Sequence, residues 1–217
     1  PMVASLETSE DRLVGLQQQF PRAASLDACG NARSSRACGA ARGRGFPQAS
    51  GAGFIDIPLM DDDGIIRKVV LLQQYQGRYY ASLALSMVMA FMQQQELELV
   101  VAPGYEGGVN YGLEQIRLGG GFHIPVDARG ATLVPYRHAY PAFPYLSATD
   151  VIHGRVDRAE LEGAMVLVGT TAAGLLDNRD TPVQSVHPGV EVHASLIAGI
   201  MDQNLKHQPA YVLGIDV

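Results

Sequence analysis

The chain has 217 residues, enough to bury a substantial core as one large domain or two small ones. Apolar residues make up 47% and charged residues 18%, a balance that excludes a disordered polymer. The formal net charge of -6 argues against a nucleic-acid partner, because phosphate contacts need a basic surface.

Residues 5 to 20 read as a helix, with Ser9 as a candidate cap and Leu13, Leu16 and Phe20 on one face. Residues 21 to 52 are rich in Gly, Ala, Ser and Arg, lack periodicity and read as a long loop. From Ala28 to Ile55 there are four arginines (Arg33, Arg36, Arg42, Arg44) and no acid. The segment has no amphipathic apolar face, so a solvated loop is the simpler reading than a lipid-facing patch. Cys29 and Cys38 lie in the same stretch. Their spacing does not suit zinc, and their pairing depends on a compartment that composition does not fix.

From Gly53 the pattern sharpens. GFIDI and IIRKVVLL predict two strands joined through the turn MDDDG, with Arg67 placed to pair with Asp56 across the hairpin. The run from Gly77 to Gln94 predicts a buried helix. No apolar run reaches the roughly 20 residues of a membrane span. LELVVA (97 to 102), EQIRL, FHIPV and TLVPY predict strands, the last two around the turn Asp127-Ala128-Arg129-Gly130. Ser147 is placed to cap a short helix through Ile152. AMVLVG (164 to 169) predicts a buried strand, followed by the turn TTAAGLLDNRDTP. A helix then starts near Pro188, with Val190, Ala194, Ile197 and Met201 as its apolar stripe. The order predicts an α/β fold (or mixed α+β), a single domain with a central mixed sheet flanked by helices.

Three blocks in this order resemble the CHASE2 family. GFIDIPLMDDDGIIRKVVLLQQYQGRYYASLAL carries a D-x-D-G-x-x-R turn and then a Tyr-x-Ser-Leu-Ala helix opening. FHIPVDARGATLVPYR resembles the next block. VGTTAAGLLDNRDTPVQSVHPGVEVHASLIAGIM resembles the closing signature: G-x-x-A-x-G-x-x-D, then T-P, then P-G-V-E-x-H-A. The resemblance covers residues 53 to 205. It implies an extracytoplasmic sensor of a bacterial transmembrane receptor, followed by membrane helices and then an adenylate or guanylate cyclase, a histidine kinase or a serine/threonine kinase. It implies no catalytic residues, no cofactor and no particular ligand. The chain divides accordingly into 1–52, within the same domain; 53–205, the sensor body; and 206–217, the start of a link to a membrane segment. The family's opening strands are not recognisable upstream of Gly53, and both ends read as cut from a longer receptor.

The residues themselves offer several chemistries. The small residues of Gly169 to Gly174 could expose N–H groups at a strand end, where α/β folds gather ligands. The stretch lacks a P-loop's Gly-Lys-Ser/Thr ending, and a tight turn is the simpler reading. Asp177, Arg179 and Asp180 follow, with Asp180 or Thr181 suited to capping a turn before Pro182. A ligand-binding reading assigns Thr170, Thr171, Asp177, Arg179 and Asp180 to the site. Asp61 to Gly64 lack the distal glutamate of an EF-hand and read as a polar turn. His187, Glu191 and His193 suggest a metal at first sight. Glu191 and His193 are two apart and fall on different helix faces, so His193 reads as a core histidine and Glu191 as a helix-dipole partner. No metal site is expected.

The expected partners are a small-molecule or protein stimulus and the receptor's own membrane helices, with pairing of two copies left open. The helix from Pro188 to Gln203 is the expected transmitter. The rival readings are a ligand-free interaction or dimerisation module, and a small hydrolase using Asp177, Asp180 and His187.

Overall fold

The apolar run IIRKVVLL forms the spine of the fold by serving two partners in succession. In this computed structural model, residues 53–55, 63–75, 78–101, 112–169 and 178–206 are described, along with the backbone of 24–25; for 74, 75 and 78 the backbone alone is described. Strand β1 is Ala24–Ser25 and β2 is Lys68–Val70, which pairs antiparallel with β8 (Ala131–Leu133). One residue later the chain changes partner. Strand β3 (Leu72–Tyr75) forms a hairpin with β4 (Arg78–Ala81). Leu71 sits at the switch: its N–H donates to the Gly130 carbonyl, and its carbonyl accepts from the Ser82 N–H. Val69 to Leu72 are buried without a break, as a strand covered on both faces requires.

Two sequence expectations change here. The hairpin partner of the spine is 78–81 rather than GFIDI; Phe54 instead forms a single parallel bridge with Ser82. The helix expected from Gly77 therefore starts later, as α1 (Leu83–Phe91). Ser82 explains the start, since its hydroxyl accepts from the Leu85 N–H. Ala84, Leu85, Val88 and Met89 form the buried stripe, and Gln93 closes the helix end in the left-handed region at φ 55°. Asp56 lies outside the described residues. Arg67 grips both carboxylate oxygens of Asp63, at 3.0 and 2.8 Å. That grip, with the Ile65 N–H, holds the Asp63 carboxyl down at about pKa 2. Gly64 at φ 76° makes the turn, where a side chain would be strained.

A four-stranded antiparallel sheet runs β1-β5-β6-β7, with β5 Glu96–Val101, β6 Leu113–Leu118 and β7 Phe122–Pro125. Ala24–Ser25 pairs with Leu97 and Glu96, so part of the expected 21–52 loop is a strand. Leu97 faces Leu118, Leu99 faces Ile116, and Ile116 faces Ile124. The Asp127–Gly130 turn is held as its sequence suggests: Asp127 Oδ1 accepts from the N–H of Arg129 and Ala131. Lys68 closes the other side on Asp127 Oδ2 at 3.0 Å.

Helices α2 (Ala148–Ile152) and α3 (Arg158–Leu161) lie at the surface. Ser147 is the N-cap residue of α2, though its side chain makes no capping bond. Strands β9 (Asn178–Thr181) and β10 (Gln184–Pro188) form a second hairpin that leads directly into α4 (Gly189–Met201). The segment 164–169 is not a strand. Met165 and Leu167 pack on the core, while Val166 and Val168 are exposed. The period-2 pattern that suggested a strand is present, but no ladder partner is taken up among the described strands.

The fold class is thus the expected α/β mixture, built from small antiparallel sheets around two packed helices, α1 and α4. The centre of α4's buried face is Val192, Leu196 and Ile200, with Ile197 beside it. Val190, Ala194 and Met201 lie at the margins, so the stripe is rotated from the expected one. The expected helix at 5–20 and the cysteines Cys29 and Cys38 lie outside the described residues.

Gly199 tests this packing. A Cβ there would meet Pro135 Cγ at 2.3 Å and Leu205 Cδ2 at 3.0 Å. Gly199→Ala gains about 1 kcal/mol of helix propensity, but overpacking against a rigid ring costs roughly 1–3 kcal/mol. The clash is expected to win, lowering the urea midpoint; an unchanged or raised midpoint would show that the contact is loose.

Candidate functional site

A bulge carries the last hairpin into the core. The β9–β10 register runs Gln184 opposite Thr181, then breaks, and resumes with His187 opposite Arg179 and Pro188 opposite Asn178. The one extra residue leaves Ser185 and Val186 at the surface and His187 turned inward. The tip of the hairpin is pinned by Thr181, whose hydroxyl donates to the Gln184 carbonyl at 2.9 Å and accepts from the Gln184 N–H. Thr181 thus takes the turn-capping role expected of Asp180 or Thr181 before Pro182. The hairpin is tied to the spine where the Ile66 N–H donates to the Asp180 carbonyl.

At the end of β10 the chain enters α4 at Pro188. Glu191 lies in the first turn of the helix. Its Oε1 accepts from the Ala142 N–H and from the Tyr145 hydroxyl, both at 3.0 Å. Its Oε2 lies 3.4 Å from His187 Nε2, close but without hydrogen-bond alignment. Both side chains are sealed: His187 is 0% exposed and Glu191 2%.

The lid over this pair is the segment from Val134 to Ser147, which runs across α4 as a strap. Pro135 packs on Gly199, Arg137 pairs with Asp202, and the Tyr140 N–H donates to the Gln184 side chain. The Tyr136 ring meets His187 edge-on at 5.6 Å, while its hydroxyl donates to the Ile66 carbonyl. Tyr140 and Tyr145 pack edge to face. One strap therefore touches both ends of α4, the last hairpin and the spine.

The electrostatics follow from burial. Loss of water pulls the His187 imidazole below its ordinary range, and the Glu191 carboxylate offsets only part of that. Burial raises the Tyr136 phenol well above its ordinary value. Burial, followed by the bond to Glu191, does the same for Tyr145, so both phenols stay protonated donors.

Of the sequence-assigned ligand residues, Arg179 and Asp180 lie exposed on β9, with Arg179 opposite His187 in the strand register. Thr170, Thr171 and Asp177 lie outside the described residues. Of the residues in the hydrolase reading, Asp177 lies outside the described residues, Asp180 is exposed on β9, and the His187 ring is closed to solvent. His193 is buried in α4, the environment expected of a core histidine. The pairing that sequence reasoning missed is His187 with Glu191. The sequence places His187 ahead of the helix but leaves its orientation open, and the spacing argument concerned Glu191 and His193 alone. The signal was available in His187-Pro188: a residue before proline is held extended and cannot join the helix. Among the described residues, no three His, Cys, Asp or Glu side chains gather as metal ligands, and no helix is long and apolar enough to cross a membrane.

The family model for the CHASE2 domain matches residues 2–215. The chain belongs to the CHASE2 family. The match reaches well upstream of the block at Gly53, so the segment before it is part of the family's pattern too. CHASE2 domains are sensory domains of extracytoplasmic receptors and are not themselves catalytic. No curated protein and no solved structure matches the chain. Within this CHASE2 domain, Glu191 and His187 fall in the P-G-V-E-x-H-A signature and just before it.

Glu191→Ala removes the acceptor of two donors in a dry site and is expected to cost about 2–3 kcal/mol in urea unfolding at pH 7. Glu191→Gln keeps a carbonyl oxygen able to accept both bonds and should lose less than half as much. Equal losses would show that the charge, rather than the acceptor geometry, holds the strap.

Proposed function

We propose that this CHASE2 domain is the input module of a bacterial transmembrane receptor, working on the outer side of the inner membrane. The family match over residues 2–215 carries the reading. In it, residues 53–205 form the sensor body and 206–217 begin the link to a membrane segment. The output is an adenylate or guanylate cyclase, a histidine kinase or a serine/threonine kinase, and the chain itself makes and breaks no bonds.

The transmitter in this reading is α4. It is the largest helix among the described elements, it packs on α1, and the strap fastens it at both ends. A stimulus alters output only if it favours one of two packings over the other. Loosening or tightening the strap supplies two such packings, because it frees or holds the helix that leads toward the membrane. A small polar or anionic molecule at Thr170, Thr171, Asp177, Arg179 and Asp180 would act on the β9–β10 hairpin, which is continuous with α4.

A second reading, as a pairing module, is favoured by one observation. Val166 and Val168 stand exposed on an extended segment whose alternate residues are anchored in the core. Sedimentation of the domain distinguishes it, since a monomer at micromolar concentration removes that reading.

In the intact receptor, a crosslink between α4 and residues 164–168 should hold the helix in one packing and abolish the response to stimulus. Normal responsiveness with the crosslink complete would rule out α4 as the transmitter.

A further inference from the structure

We infer that the His187–Glu191 contact under the strap is a proton-operated latch, closed while His187 is neutral and released when His187 takes up a proton.

The geometry explains why a proton is not accommodated in the closed state. An imidazolium has two N–H donors and needs two acceptors. Nε2 faces Glu191 Oε2 at 3.4 Å without alignment, and Nδ1 has no acceptor at all among the described residues. The nearby hydroxyls do not supply one. The Tyr136 hydroxyl is committed to the Ile66 carbonyl and the Tyr145 hydroxyl to Glu191. The other charged groups on the packed elements do not favour a second cation either. Arg179 stands opposite His187 in the strand register, and on the spine Arg67 is paired with Asp63. Glu191 is the one anion against the ring among the described residues; its Oε1 takes both strap donors, and its Oε2, which faces Nε2, has no aligned donor. A protonated His187 would therefore hold an unpaired N–H in a site without solvent, a costly arrangement. Lifting the strap exposes the ring and removes that cost.

The sign follows directly. Burial lowers the imidazole's proton affinity in the closed state, so the open state binds the proton more tightly. The closed state is fully favoured above about pH 6.5, the ordinary imidazole value. It weakens as pH falls below that, by up to about tenfold in the closed-to-open ratio per pH unit for one proton. The weakening levels off once the closed state itself protonates. The latch is a property of the domain alone. Only its use as a stimulus rests on the receptor reading, and an acid-responsive strap in a receptor with unchanged output would separate the two.

The test uses the 217-residue chain. Hydrogen exchange at the Ala142 amide, corrected for intrinsic rate, is followed from pH 8 to pH 5 together with the His187 ring resonance. The latch predicts that Ala142 opening rises by up to tenfold per pH unit below about pH 6.5 in the natural protein. In His187→Gln that rise should vanish. Opening that is independent of pH, or an equal rise in His187→Gln, overturns the proposal. If the variant does not fold, the natural protein decides alone: a His187 ring that titrates near its ordinary value while Ala142 stays protected overturns the latch.

Discussion

A carboxylate taken out of water must be met by donors, and the architecture of this domain's second half follows from that demand. Glu191 is buried in the first turn of α4, and the donors come from the strap, as the Ala142 N–H and the Tyr145 hydroxyl. An unmatched buried charge would be strongly destabilising, so helix and strap are coupled. The strap is otherwise a loop-like segment without a regular ladder. Its position is set by what it must satisfy: Glu191 at one end of the helix, and Gly199 and Asp202 at the other.

The same helix is also the most apolar partner of α1. Val192, Leu196 and Ile200 are completely buried, and the core continues through Leu85 and Val88 into the spine at Leu71 and Leu72. A polar fastening on one side and a continuous apolar core on the other give α4 two kinds of restraint. The apolar packing carries no titratable group, whereas the polar fastening centres on a carboxylate and an imidazole.

Much of the fold was legible in the sequence where short-range chemistry decides it. The Asp127–Gly130 turn, the strands at 96–101, 113–118 and 122–125, and the helix at Pro188 all followed from turn residues, β-branched runs and a proline. Pairing was less legible. The spine was matched to GFIDI, its nearest extended neighbour, because alternation says that a segment is a strand without saying which strand it meets. Residues 164–169 show the reverse limit: an apolar alternating run that buries one face and takes no strand partner among the described residues. The His187–Glu191 pair was missed because it spans a bulge and a helix start, and a bulge leaves no periodic trace. The family resemblance reached further than the residues that first carried it, since the match begins at residue 2.

The most direct test of the coupling between helix and strap is a double-mutant cycle on Glu191→Ala and Tyr145→Phe, measured by urea unfolding at neutral pH. A shared hydrogen bond in a dry site predicts losses that fail to add, with a coupling of about 1 kcal/mol or more. Strict additivity of the two losses would contradict the account, because it would mean that the strap and the buried carboxylate hold their places independently.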